Sequence, residues 1–470
     1  MRVLLVQGYL GRRGVADPLV YPLGLACVAS ALERAGHAPW IVDPNVADDW
    51  VPGLVRAIAQ HQPEVVGISL RNLDSANRRD PAVYHTWLEP AIARVRREAP
   101  QAPVVLGGPG FTQAARTLME RYACDLGVQA EAEDTLPALL ASLDHPERVP
   151  GAWWRDGSGR VGRAVDRPMP DLATLPFPRR DHVDWEPWRR LERTAGLSLD
   201  VGVETTRGCP RRCAYCTYPY LNGRVLRRKP PSVVADEIAY LHGTFGVERF
   251  TFTDSRFNED PPHARAVCEA LVRRRLPVRW TAWLGFDRID AEFLELMRDA
   301  GCERVSFSPD GLLQPSLDRL QKDTTTAEIA ASVRAVRRVR GLKASWAFFA
   351  TPPATSWREQ AALAAYYAWI HGTIPGRGRM MLTWCRVEAH TRLEAIARED
   401  GVLPEDADLL PEETAALERL FYVAPGFGGA SDAWDRLLDA ERAWKAASGR
   451  FRTVWCSFLD KDLTKQYLKR

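Results

Sequence analysis

No apolar run in these 470 residues is long enough to span a membrane, and no low-complexity tract or charged tail interrupts the chain. Charge of one sign is not in excess either. The 63 basic and 60 acidic residues leave a net charge of +3, which supplies no electrostatic footprint for nucleic acid or a membrane surface. The start, Met1-Arg-Val-Leu-Leu-Val-Gln, is too short an apolar run for a secretion signal. Paired cysteines are missing. Of nine in all, Cys27, Cys124, Cys268, Cys302, Cys385 and Cys456 stand singly, mostly among apolar neighbours, and read as small buried hydrophobes. An odd count without a disulfide framework fits a reducing compartment, so a cytoplasmic protein is expected. The basic run Arg273-Arg274-Arg275 follows Leu271-Val272 and reads as the solvated last turn of a helix, where cations suit the dipole.

The remaining three cysteines form one cluster: Arg207-Gly208-Cys209-Pro-Arg-Arg-Cys213-Ala-Tyr215-Cys216. A [4Fe–4S] cube normally takes four thiolates. C-x3-C-x2-C offers three, and the nearest cysteines in sequence, Cys124 and Cys268, lie far outside the motif. One iron is then left open for a non-protein ligand, the arrangement that turns an electron carrier into a catalyst. The competing readings are coincidence and a structural zinc site. Zinc requires four closed ligands, and no nearby His or Cys completes such a set.

At this length two or three domains are expected. Residues 1–145 alternate short buried strands (Arg2–Gln7, Pro39–Asp43, Val65–Leu70, Val104–Gly107, Leu126–Gln129) with helices. Leu25, Val28 and Leu32 mark one helical face, closed by Gly36. The pattern predicts a doubly wound, Rossmann-like parallel sheet whose ligand lies at the carboxyl ends of the strands. At those ends stand Ser69 and the run Gly107-Gly108-Pro109-Gly110, where glycines admit a close approach to the backbone. Residues 146–198 read as a linker rich in Pro, Asp, Arg and Trp, irregular and extended over 171–180. From 199 to 387 a second alternation follows, with strands Val201–Thr206, Arg249–Thr253, Val278–Ala282, Arg304–Ser308, Lys343–Ala350 and Met380–Cys385. Helices over Val233–Phe245, Ala291–Ala300 and Thr326–Arg340 fall between them. Six such units predict an open (β/α)6 barrel of the TIM type, with active groups at the strands' carboxyl ends. Residues 388–470 read as helices (Pro411–Phe421, Ala433–Ala446) separated by the breaker Pro425-Gly426-Phe427-Gly428-Gly429.

The cysteine spacing resembles the radical S-adenosylmethionine (SAM) superfamily. Tyr21-Pro22-Leu23-Gly24, Ser69, Gly107-Gly108 and Ala130-Glu131-Ala132-Glu133 resemble the cobalamin-binding domain that precedes many of its barrels. Asp171-Leu-Ala-Thr-Leu-Pro176-Phe-Pro178-Arg-Arg resembles the connector between the two. The resemblance implies that Cys209, Cys213 and Cys216 hold the cluster while SAM caps the fourth iron. Tyr215 would pack by the adenine, or simply shield the cluster. Where relatives carry Gly-Gly-Glu, this chain has Thr253-Asp254-Ser255, leaving Asp254 to accept from the SAM ammonium. Ser308 and Asp310 stand where relatives have G-I-E-S, and Asp310 would bond the ribose hydroxyls. Helix N-capping is the alternative for both aspartates. Ala350-Thr-Pro-Pro353 would back the adenine, and Arg386, after the last strand, would meet a carboxylate or the surface. A second departure concerns cobalt. The first loop, Gly8-Tyr-Leu-Gly-Arg-Arg-Gly14, lacks the histidine of D-x-H-x-x-G, so no histidine is expected on the metal. The alternative is a degenerate nucleotide-type domain that binds nothing.

What the resemblance implies is a cobalamin-dependent, class B-like radical SAM methyltransferase. It would use a [4Fe–4S] cluster, SAM and cobalamin to methylate an unactivated carbon or a phosphinate phosphorus of a specialised metabolite, through a 5′-deoxyadenosyl radical and methylcobalamin. The partners implied are a small-molecule substrate and an electron donor such as flavodoxin or ferredoxin, with no nucleic acid and no membrane. A cyclase or ring-contraction enzyme without methyl transfer is the alternative. A methylthiotransferase would need a second cysteine triad, and residues 1–145 hold only Cys27 and Cys124. A cobalamin-binding sensor with a vestigial barrel would have no need of three spaced thiolates.

Overall fold

A computed structural model describes residues 1–10, 19–47, 49–195 and 199–447. Residues 11–14 of the first loop, and Cys456, lie outside the described residues. The first sheet opens with β1 (Arg2–Gln7). β2 (Leu19–Val20) leaves it for the second sheet, and β3 (Ala38–Val42), β4 (Val65–Ser69), β5 (Val104–Gly107) and β6 (Leu126–Val128) complete a parallel array in the order β3-β1-β4-β5-β6. These strands follow the expected ones to within a residue at each end. They form because their residues are apolar on both faces. Val3 and Leu5 enter one core with Leu25 and Leu32 of helix Leu23–Arg34, while Leu4 and Val6 enter a second with Leu54 and Ile58 of helix Trp50–His61. Gly36 follows that first helix at φ +84°, the left-handed turn expected of it.

The sheet continues beyond residue 145. β7 (Ala152–Arg155) pairs antiparallel with β6, and β8 (Val161–Arg163) pairs with β7. The stretch read as a linker therefore contains a hairpin, and it ends in helix Glu186–Ala195. Order reverses between β1 and β4, the place where sheets of this type hold ligands.

The second sheet takes six parallel strands in chain order: β9 (Leu199–Val203), then, past the short β10 (Thr206–Arg207) and β11 (Arg227–Arg228) ribbon, β12 (Arg249–Phe252), β13 (Arg279–Leu284), β14 (Cys302–Asp310), β15 (Lys343–Phe349) and β16 (Gly378–Thr383). Helices Pro231–Phe245, Pro261–Arg274, Ala291–Asp299, Thr326–Arg338 and Trp357–Thr373 connect them. Bounds differ from the expected ones by up to three residues. β2 adds beside β9 (Leu19↔Leu199, Val20↔Asp200), so the first domain supplies the edge of the second sheet. β16 and β2 are its two ends, which leaves the barrel open. Trp280, Phe307 and Trp346 are fully buried, and Phe307 stacks on Trp346 at 5.5 Å.

The C-terminal region departs from expectation in one element. Residues 411–421 do not form a single helix. A short helix, Thr414–Glu418, gives way to β18 (Phe421–Tyr422), which pairs antiparallel with β17 (Cys385–Arg386). Phe421 and Tyr422 are buried by that pairing, and a continued helix would have turned part of this apolar run outward. The last helix spans Gly428–Ala447, so Gly428 and Gly429 open it instead of standing before it. Among the described residues no helix is long and apolar enough to cross a membrane.

Candidate functional site

The cysteine loop follows β9 at the carboxyl end of the second sheet, and its backbone is fixed from several sides. Asp254 accepts from the Thr205 and Thr206 amides at 2.7 and 2.8 Å and from the Thr205 hydroxyl at 2.8 Å, shaping the turn before the motif. Gly208 has φ +89°, and a Cβ there would stand 2.1 Å from the Val225 carbonyl oxygen, so only glycine lets the turn pass under residues 223–226. The Cys209 amide donates to the Gly223 carbonyl at 3.0 Å, Ala214 to Leu320 at 2.8 Å and Cys216 to Cys213 at 3.2 Å.

Cys209 is buried; Cys213 and Cys216 are half-buried. Burial pushes the Cys213 thiol up, against the pull of Lys322, and the Cys216 thiol up to about 11. Cys213 also feels Cys209, and Cys216 feels both Cys213 and Cys209. Among the described residues no three His, Cys, Asp or Glu side chains converge as a single metal ion demands. A cube makes no such demand, because each thiolate binds a different iron. The donor set therefore fits a cluster and not a zinc ion. In space a fourth cysteine does approach: Cys385 of β17 lies in electrostatic range of Cys216, with its buried thiol turned toward the Arg386 carbonyl at 3.8 Å.

Beside the loop, at the barrel mouth, Tyr215, Asp310 and Lys322 form one group. The Tyr215 hydroxyl donates to Asp310 Oδ2 at 2.5 Å, and Lys322 Nζ reaches the same oxygen at 2.7 Å and the phenol oxygen at 3.2 Å. The tyrosine ring meets Phe349 edge-on at 5.1 Å. Burial and the adjoining carboxylate hold the phenol well above its ordinary range. Asp310 ends β14 at φ +66°, after an irregularity in the strand's pairing, and Ser308 lies half-buried on the same strand. Neither aspartate caps a helix: Asp260 and Leu313 hold those positions. Asp254 faces inward, and burial pushes its carboxyl up to about 6 despite its three hydrogen bonds. Thr351, within the 350–353 turn, is buried, and its hydroxyl has no partner among the described residues. Arg386 meets a carboxylate of the first domain, Asp74, at 3.0 Å, with both side chains buried. Half-buried Glu388 lies near that pair, and desolvation pushes its carboxyl up to about 7, with Arg386 opposing.

Ser69, Gly107 and Gly108 come together elsewhere, in an open cleft with a cavity volume of about 260 Å³ at the carboxyl ends of β4, β5 and β6. Leu5, Ile68 and Val128 line it from the first sheet; Glu204, Arg207 and Leu221 close it from the cysteine-loop side. Gly108 owes its identity to the chain's own crossing: at φ +92°, its Cβ would lie 2.7 Å from both Ser69 Oγ and the Leu70 carbonyl oxygen. Gly107 has room for a side chain and leaves that room open to the cleft. No histidine is among the lining residues. An open, mostly apolar cleft with a polar rim suits the face of a large planar cofactor by its lining.

That rim is the feature sequence reading missed. Glu131, Glu133, Glu204 and Arg207 all line the cleft, and all four are ion-paired with one another or with Arg227 and Lys229. The Ala130–Glu133 run and Arg207 were both visible as motif residues; their pairing across 76 positions was not.

Residues 11–140 match the model of the B12 binding domain, and residues 203–358 match that of the radical SAM superfamily. The chain is similar to the cytidylyl-2-hydroxyethylphosphonate methyltransferase of Streptomyces wedmorensis, with 25% identity over 66% of this chain and 64% of that protein. It is similar to the anaerobic magnesium-protoporphyrin IX monomethyl ester cyclase of Synechocystis, with 26% identity over 67% and 62%. The chain thus spans less than two thirds of either relative. In three dimensions it resembles the radical SAM methyltransferase TsrM of Kitasatospora setae, solved with tryptophan and a SAM analogue, with TM-score 0.76 and 23% identity over 93% of this chain and 89% of that one.

Proposed function

We propose that this chain, in which a B12-binding domain precedes a radical SAM domain, is a cobalamin-dependent methyltransferase acting on an unactivated carbon or a phosphinate phosphorus of a small metabolite. One observation carries the reading: the cleft of the first sheet and the three-thiol loop share a wall, Glu204–Arg207, so that a macrocycle in the one would lie beside a cluster in the other. When bound, the cluster and SAM supply a 5′-deoxyadenosyl radical, and cobalamin supplies the methyl group.

The chain's residues supply the frame. Cys209, Cys213 and Cys216 hold the cluster. Ser69, Gly107 and Gly108 line the corrinoid's berth, within residues 1–145. Tyr215, pinned by Asp310 and Lys322, presents its ring to the adenine, and Ser308 and Asp310 stand at the ribose. Asp254 acts on SAM through the turn it holds at Thr205 and Thr206. Residues 199–387 form the radical domain, 146–198 join it to the first, and the described part of 388–470, as far as residue 447, covers its mouth. Solitary buried cysteines support a cytoplasmic setting, where flavodoxin or ferredoxin would deliver the electron.

The likeness to the cyclase keeps a radical reaction without methyl transfer as the second reading. Methyl-labelled SAM and a small-molecule extract of the source cell separate the two. The proposed function requires S-adenosylhomocysteine and 5′-deoxyadenosine in near-equal amounts, with label in a new product. Turnover to 5′-deoxyadenosine alone, with no label transferred, establishes the second reading and removes the first.

A further inference from the structure

Arg207 stands two residues before Cys209, and its guanidinium is wholly engaged by carboxylates from two domains. Nη1 meets Glu131 at 2.9 Å, Nη2 meets Glu133 at 2.6 Å, and Nε and Nη2 each meet Glu204 at 2.8 Å. Glu131 and Glu133 belong to the loop after β6, on the corrinoid side of the cleft; Glu204 belongs to the turn leading into the cysteines. Arg227 holds Glu131 from β11 at 2.5 Å. Lys229 bridges Glu204 at 3.1 Å and Glu237 at 3.4 Å, and Arg180 closes the chain on Glu237 at 2.5 Å.

Four carboxylates and four cations are therefore gathered in one largely buried and formally neutral group. Such a group adds little net stability compared with apolar packing, but it tolerates little change in geometry once its members are desolvated. A planar, forked guanidinium fixes direction as well as distance, which an ammonium cannot do.

We propose that Arg207 is a positioning residue that sets the spacing between the occupant of the cleft and the cluster loop, and so keeps the two uses of SAM in step. The inference rests on the function proposed above. Two variants test it in the full chain loaded with cobalamin and cluster. Arg207→Lys keeps the charge and removes the fork; Glu133→Gln keeps Arg207 and weakens one arm, and serves if the first variant does not fold.

Two readouts apply besides iron and corrinoid content: the distance between cob(II)alamin and the reduced cluster from pulsed electron paramagnetic resonance, and amide exchange over residues 129–133 in the unloaded chain. Both variants are expected to load fully, to show a broadened distance distribution and faster exchange, and to lose the one-to-one product ratio, with 5′-deoxyadenosine in several-fold excess over S-adenosylhomocysteine. Wild-type distances, exchange and ratio in a fully loaded variant overturn the inference and leave the proposed function standing. A wild-type chain that takes up no corrinoid overturns both.

Discussion

Glu388 and Asp254 are carboxyls that burial holds against ionisation, at about 7 and about 6. In each the native state binds its proton more tightly than the unfolded chain does, so folding stability falls as pH rises from the unfolded carboxylate range toward these values. Glu388→Gln removes the larger displacement and leaves Arg386 its partner Asp74. The variant is expected to match the parent near pH 4 and to exceed its stability by order of 1–3 kcal/mol at pH 8. Denaturant unfolding at the two pH values checks this, and a parent that gains stability across that interval relative to the variant contradicts it. At this scale the sequence was readable where chemistry is written in spacing. Three cysteines within eight positions announce a cluster whatever surrounds them. Lys322 announces nothing: its place against Asp310 and Tyr215 comes from the turn after helix Gln314–Arg319, and no local pattern marks it.

Turns and edges govern what each element can do. Gly208→Ala would force a Cβ to 2.1 Å from a carbonyl oxygen at a backbone angle that side chains disfavour, so the turn or residues 223–226 must shift. The expected outcome is a folded protein with circular dichroism like the parent's and a large loss of bound iron after anaerobic reconstitution; full iron content contradicts the account of the turn. The parallel strands were legible as continuous apolar runs buried on both faces. The hairpin β7–β8 was not read, although Asp156-Gly157-Ser158-Gly159 between two Trp-rich and Val-containing segments carries a hairpin turn's composition; Asp156 indeed accepts from the Ser158 and Arg160 amides. Residues 411–421 misled for a physical reason. Leu410, Leu417, Leu420 and Phe421 suit a helical face, but the partner that decides the matter, Cys385-Arg386, lies in a distant part of the chain.

Across the whole molecule the two domains behave as one packed body. A single apolar core runs from Leu25 and Leu32 of the first domain to Val201 and Trp280 of the second, and β2 completes the second sheet. Segment 74–79 docks on the far end of the barrel through Asp74–Arg386 and through Arg78, which lies over Trp384 at 5.1 Å and pairs with Asp435 at 3.2 Å. None of these contacts has a local signature, because each joins residues far apart in the chain. Arg386→Gln leaves Asp74 buried without its cation, a change that costs about 3–5 kcal/mol. Calorimetry should show a lowered unfolding temperature, and an unchanged one would deny the pair any part in docking.

The proposed function puts a corrinoid in the cleft beside a three-thiolate cluster, without a histidine on cobalt. Electron paramagnetic resonance of the desalted, anaerobically reconstituted protein in its cob(II)alamin state tests it most directly. The account predicts a bound cob(II)alamin signal without nitrogen superhyperfine splitting. Nitrogen splitting, or no corrinoid signal at all, would contradict it.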